Sequence, residues 1–384
     1  MLDSRPLTEY SNMSIPTGID CPGAELVHRV KEVVTDPETL VVVNCAGRTR
    51  SIIGAQSLIN AGLENRVVAL ENGTMGWELA GFEVIRGSAT TAPNPGAQTL
   101  AWATNAATAV GERFGVQTIS HDQLHAWQSD PTRTTYLLDV RTPDEFLAGH
   151  LAGSRSAPGG QLVQATDEYV ATRNARLVLV DDDGVRATMT ASWLRQLGWN
   201  DAVVLADAMV DQSLVEGPVP RVSLGLTDVP TMTPAALKRR LGDVTVLDIG
   251  TSIKYRKKGH IPGAWWGVRS RLDEARAAIG PVDLLVLTST DGQLAKAAVA
   301  DASAAWPDAS VFALAGGTKS WRHAGFAMEP GLTRPTTETN DVWYKPYDHD
   351  DADVVPQHMQ DYLTWEIALV DQLARDETVV FPTF

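Results

Sequence analysis

Cys45 is the residue of this chain whose type and neighbours together point to covalent chemistry. It sits in Asn44-Cys45-Ala46-Gly47-Arg48-Thr49-Arg50. Before it runs an apolar stretch at 40–43; after it, Ser51 opens a segment with Ile52, Ala55, Leu58 and Ile59 at helical spacing. A cysteine is thus expected between a strand end and a helix start. The first amides of a helix are unpaired and carry partial positive charge, which favours an anion there. A thiol so placed is biased toward the thiolate, the nucleophilic form. Arg48 and Arg50 add fixed positive charge, so the segment reads as a cradle for a reactive sulfur and an anionic substrate. The alternative is a small buried cysteine at a strand end, but a glycine and two arginines in one short turn are poor core material. A phosphate-binding loop is excluded, because its Gly-Lys-Ser/Thr ending is missing.

The elements that hold this loop recur. Leu2-Asp3-Ser4-Arg5, Leu138-Asp139-Val140-Arg141 and Leu247-Asp248-Ile249-Gly250 each open a copy, with an aromatic 7 residues after the Asp: Tyr10, Phe146 and Tyr255. Cys45 lies 42 residues after Asp3, Asp181 lies 42 after Asp139, and Ser289 lies 41 after Asp248. Gly73, Met209 and Gly317 follow these loop positions by 28 residues, and Trp77, Ser213 and Trp321 by 32. Three homologous units are expected, the second worn at its C-terminal end. Strands at 135–139, 177–180 and 202–205 alternate with helices at 143–148 and 187–197. That alternation predicts an α/β unit, a parallel sheet flanked by helices. Ligands on such sheets sit at the C-terminal strand ends, where the Cys45 loop falls.

With 384 residues and a net charge of −15, the chain has room for two to four domains and argues against a nucleic-acid partner. No apolar run approaches membrane-spanning length, so no membrane partner is expected. Cys21 and Cys45 are the only cysteines, too few for a disulfide framework. A useful free thiol implies a reducing compartment, hence a cytoplasmic protein. The expected organisation is a first domain at 1–88, a linker with a helix at 89–115 and a second domain at 116–217. A Pro-rich linker at 218–230, with Pro218, Pro220 and Pro230, leads to a third domain at 231–331 and an extension at 332–384. Lead-ins at Ile119-Ser120 and Met232-Thr233-Pro234 look like capped helix starts. The first unit has no such lead-in, from which its opening strand and helix are expected to lie upstream. The tail, with Trp343, Tyr344, Tyr347 and a helical run at 357–375, is expected to pack on another unit or on a partner chain in a homodimer.

The Asp-x-Arg opening, the Ile15-Pro16 turn, the Cys-x-x-x-x-Arg loop from Cys45 to Arg50 and the late Gly73 and Trp77 resemble the rhodanese domains, the sulfurtransferases. The resemblance covers roughly 2–86, 116–220 and 231–331 and implies tandem rhodanese-like α/β domains. It implies that Cys45 takes sulfur from an anionic donor as a persulfide and passes it to a thiol or cyanide acceptor, without a cofactor. Loop amides from Ala46 through Gly47, Arg48 and Thr49 to Arg50 would hold the persulfide charge. Arg48 and Arg50 would bind the donor, Arg5 would reach the site, and Asp3 and Ser51 would support the loop. Related phosphatases on this fold use Cys-x5-Arg, a loop one residue longer that fits phosphate. Here Ser51 stands where that arginine would be, and the shorter loop suits sulfur. In the second unit Asp181-Asp182-Asp183 replaces the cysteine and would repel an anionic donor; in the third, Ser289 lacks an evident base. Both units are expected to be inactive. The rival reading is a non-enzymatic scaffold or redox-sensing module in which Cys45 is a relic.

Other residues carry blander expectations. Cys21 is structural rather than a resolving thiol. His150 and His260 belong to a turn and are not metal ligands, and no Cys/His cluster suggests zinc. Asp348, His349, Asp350, Asp351 and Asp353 form a solvated acidic loop rather than a metal site. Trp265-Trp266 is expected at an interface between units.

Overall fold

The computed structural model describes residues 1–219, 226, 228–349, 351–378, 380–382 and 384; Pro220 and Asp350 fall outside them. The chain forms two compact units, Met1–Val219 with Pro356–Phe384, and Pro220–Val355. Among the described residues no helix is long and apolar enough to cross a membrane.

The first unit contains two parallel sheets. One has the order Ile19–Asp20, Leu2–Asp3, Val41–Asn44, Val67–Ala69. The other has the order Gln117–Ile119, Ala202–Leu205, Arg176–Val180, Thr135–Asp139, Arg155–Ser156. The central strands read as continuous apolar runs because helices cover both sheet faces. Register aligns Asp3 with Asn44 and Asp139 with Val180, so each opening Asp stands beside the last strand residue before its loop. The helices Glu25–Val33, Ala97–Arg113 and Val185–Gln196 share one core, in which Leu26, Val30, Ala103, Ala107, Val110, Val185 and Met189 are buried. Small alanines on Ala97–Arg113 let its neighbours approach closely. Trp193 Nε1 donates to Ser57 Oγ at 2.8 Å, tying the two sheets' helices together.

The second unit holds the strand order Thr231–Met232, Ser310–Leu314, Leu284–Thr288, Thr245–Asp248, Trp265–Trp266, again parallel. The expected strands at 135–139 and 202–205 and the helix at 143–148 form as read. The expected caps form too: Ser120 Oγ accepts from Gln123 N and Thr233 Oγ1 from Ala236 N. The Trp265-Trp266 expectation needs correction. The pair is an edge strand of its own sheet; Trp266 is fully buried and its Nε1 donates to the Gly250 carbonyl at 2.8 Å. The tail also divides differently, because its helix Val355–Asp376 belongs almost wholly to the first unit.

Candidate active site

The Cys45 loop is held from behind by its carbonyls. Asn44 Nδ2 donates to Asp3 Oδ2 at 3.1 Å and to Thr74 Oγ1 at 3.2 Å, which fixes the strand end. The Cys45 carbonyl accepts from Thr74 N at 2.8 Å and Thr74 Oγ1 at 3.1 Å, and the Ala46 carbonyl accepts from Met75 N at 2.9 Å. Peptide units are planar and trans, so the amides of Ala46 and Gly47 face the opposite way, into the loop. Gly73 makes this approach feasible. Its φ is +54°, and a Cβ there would overlap the carbonyl oxygens of Cys45 and Gly47. The helix begins at Thr49, two residues earlier than the sequence pattern indicates, with Arg48 as its N-cap. Its first free amides therefore belong to the loop itself. Ser51 Oγ donates to the Arg48 carbonyl at 2.7 Å and can accept from Cys45 Sγ at 3.6 Å. Asp3 and Ser51 thus both brace the loop.

The charges divide unevenly. Arg50 Nη2 pairs with Glu9 Oε2 at 2.8 Å beside the loop, and Arg48 is half-buried. Arg5 is not brought to the loop's mouth. It is 1 % exposed and folds back onto Asp3, with Nε to Oδ1 at 2.8 Å and Nη2 to Oδ2 at 2.7 Å, and Nη2 also donates to the Met13 carbonyl. In this geometry it holds Asp3. Cys21 is buried in the apolar core, and burial pushes its thiol well above the usual range, as a structural cysteine requires.

Two residues that sequence reasoning missed complete the site. Glu366, on the helix Val355–Asp376, accepts from Arg48 N at 3.1 Å through Oε2, and from Thr49 N at 3.2 Å and Thr49 Oγ1 at 2.8 Å through Oε1. Tyr362, one turn earlier, comes within 3.1 Å of where a Gly47 Cβ would stand. Burial, reinforced by the charges of Glu366 and Cys45, pushes the Tyr362 phenol up to about 12. The only signal for this in the sequence is the helical spacing of Met359, Tyr362, Leu363 and Glu366, one face of the tail helix.

The other two loops start their helices at the same offset, but through left-handed Gly184 and Gly292 where the first has Arg48, and they change the occupant. Asp181 turns its carboxylate into its own loop, accepting from Gly184 N at 2.8 Å and Ala187 N at 3.0 Å. Burial and the nearby Asp183 charge push it up to about 7. Arg186, fully buried, pairs with Glu25 of the first repeat at 3.1 Å, Glu145 at 2.9 Å and Asp182 at 2.6 Å. In the third repeat Ser289 Oγ accepts from Ala295 N at 3.2 Å. Gly250 stands where Arg5 and Arg141 stand in the other repeats. Gly250 lines two cavities, one of about 520 Å³ with Val268 and Leu294 and one of about 320 Å³ with Asp248, Lys254 and Lys319. Among the described residues no cluster of His, Cys, Asp and Glu is arranged to hold a metal ion.

A model of the rhodanese-like domain matches residues 1–80 and 120–211, the spans that contain the Cys45 and Asp181 loops. The solved structure of a thiosulfate sulfurtransferase from Pseudomonas aeruginosa is 47 % identical over 100 % of this chain and 72 % of its own, with a TM-score of 0.93. The chain belongs to the rhodanese family. A rhodanese-related protein from Thermoplasma volcanium, 21 % identical, matches 27 % of this chain and 99 % of its own with a TM-score of 0.24. No curated protein matches. Membership of the rhodanese family agrees with tandem α/β units whose parallel sheets are flanked by helices.

Proposed function

We propose that this rhodanese is a sulfurtransferase in which Cys45 carries the transferred sulfur as a persulfide. The sulfurtransferase class is supported by family membership and by full-length similarity to a thiosulfate sulfurtransferase. The single observation that carries the mechanism is the loop itself. Its Cys45 and Ala46 carbonyls are spent on the Gly73–Leu79 helix start, which leaves the Ala46 and Gly47 amides turned the other way, into the loop.

In the first half-reaction the Cys45 thiolate attacks the outer sulfur of a donor such as thiosulfate. A new S–S bond forms, the donor's S–S bond breaks, and its electron pair leaves on sulfite. In the second, a thiol or cyanide attacks the outer persulfide sulfur, and the Cys45 thiolate leaves. Amides from Ala46 to Arg50 stabilise the anionic sulfur in both, while Arg48 and Arg50 attract the donor. The six-residue loop from Cys45 to Arg50 is one residue shorter than a phosphate loop, which favours a sulfur atom, and Asp181 supports the reading from the second repeat: a carboxylate there already takes the amides that an anion would take.

The domains at 1–88, 116–217 and 231–331 then divide the labour, the first reacting and the others serving as structure. The scaffold reading is favoured for the second repeat alone, by the Arg186 ion network that binds it to the first. Thiocyanate production from thiosulfate and cyanide tests the proposal. Wild type should turn over and Cys45→Ser should not; turnover in folded Cys45→Ser would overturn it.

A further inference from the structure

The tail helix places a carboxylate where a substrate's anion would bind. Its inward face is anchored by Met359 and Leu363, each 2 % exposed, and the chain end returns so that Phe384 packs edge-on to Phe114 at 5.3 Å. Glu366 lies on the same face, at i+7 from Met359 and i+3 from Leu363, so the helix cannot seat its apolar residues without delivering Glu366 to the loop. Its two oxygens span the consecutive amides of Arg48 and Thr49, with the Thr49 hydroxyl as a third donor. This is the pattern of an oxyanion at a helix N-terminus, here supplied by the protein. Cys45 is itself 2 % exposed. Glu366 Oε2 lies directly over Gly47, where a Cβ would meet it.

We propose that Glu366 is a specificity-determining residue whose carboxylate occupies the donor-anion subsite of the Cys45 loop, so that a donor reaches the sulfur only by displacing it. The inference rests on the proposed role of Cys45 as the sulfur carrier. Displacement selects by charge and by acceptor count. A compact oxyanion with more oxygens and more charge than a carboxylate, such as the sulfonate end of thiosulfate, gains the released amides and the attraction of Arg48 and Arg50. A neutral persulfide gains neither, and its arrival leaves Glu366 in place. The rhodanese loop is in this way closed to uncharged sulfur compounds until a suitable anion arrives, which also shields the persulfide charge from idle attack.

The test measures access to Cys45 without requiring sulfur transfer. Alkylation of wild type, Glu366→Ala and Glu366→Gln by iodoacetate and by iodoacetamide is followed by intact mass, with Cys45→Ser as the control for site. Glu366→Ala should accelerate iodoacetate about tenfold, the factor expected when a subsite occupied nine-tenths of the time is vacated. Iodoacetamide should gain less, and Glu366→Gln should fall between. In thiosulfate turnover, Glu366→Ala should lower KM by a similar factor with kcat retained. Equal alkylation rates in wild type and Glu366→Ala would overturn the proposal. So would a fall in kcat with KM unchanged, since Glu366 would then assist the reaction. Accelerated alkylation in a protein with no sulfur transfer at all would uphold the subsite assignment and refute the sulfurtransferase reading instead.

Discussion

The Cys45 and Asp181 loops each start a helix four residues on, one through Arg48 at φ −127° and the other through left-handed Gly184, and they differ in what fills the space before it. In the first, the strand-end residue is a thiol, the +6 position is Ser51, and the nearby charges are Arg48 and Arg50. In the second, a carboxylate takes the Gly184 and Ala187 amides directly. The loop's one arginine, Arg186, turns away from any ligand into Glu25, Glu145 and Asp182. The difference teaches how a reactive site becomes a structural joint. The amide cradle still needs an anion, because unpaired buried amides are costly. Once that anion is a permanent side chain, the surrounding cation is free to be recruited by the neighbouring repeat. The first loop meets the same need with Glu366, a side chain from a different helix.

Replacing Cys45 attacks the first half of this comparison most severely. Cys45→Ser should lower thiocyanate formation by on the order of a thousandfold or more, since a serine hydroxyl without a base is a poor nucleophile. Steady-state assay of the folded variant checks it. Replacing Arg186 attacks the second half. Arg186→Met leaves Glu145 and Asp182 without their cation and Glu25 with one arginine, Arg29, and should cost about 3–5 kcal/mol in urea unfolding, the range for breaking a buried pair. A cost below about 1 kcal/mol would show that the network is not what joins the repeats.

A smaller effect separates donor attraction from chemistry. Arg50→Ala removes one cation of the mouth and releases Glu9. KM for thiosulfate should rise roughly tenfold with kcat changed much less, the signature of lost uniform binding. An equal fall in kcat and kcat/KM would instead put Arg50 in the transition state.

The smallest effect is a pH dependence at the joint between the repeats. His28 Nε2 meets Asp183 Oδ2 at 2.6 Å. Burial opposes the charge on His28, but hydrogen bonds to Asp183 and Glu25 outweigh it and lift the group from 6.5 to about 9. A raised basic group stabilises fully below its unfolded value and loses that contribution as pH rises through its folded value. Asp183→Asn should therefore destabilise by about 1–2 kcal/mol below pH 6.5, and the gap should narrow as pH passes 9. Paired urea titrations across this range check the sign.

The reactive loop was legible because strand, cysteine, arginines and helix are contiguous, and the fold was legible because Asp3, Asp139 and Asp248 head copies with matched spacing. What the sequence hid depended on direction and distance. Asp-x-Arg shows that Arg5 is near Asp3, but not that its guanidinium folds back onto it rather than reaching forward. The Trp265-Trp266 pair suggests an interface between units, but Trp266 is buried in its own unit's core, in the same apolar cluster as Trp321. Glu366 lies 317 residues beyond Thr49, and no local pattern marks a charged residue at the end of an apolar stripe as a loop ligand.

Intact mass after exposure to thiosulfate, on wild type, Cys45→Ser and Asp181→Cys, tests the central claim most directly. The account predicts a gain of one sulfur atom in wild type, reversed by cyanide, none in Cys45→Ser, and no second sulfur in Asp181→Cys, whose loop is still closed by the Arg186 network. A sulfur gained by Cys45→Ser, or none gained by folded wild type, would contradict it.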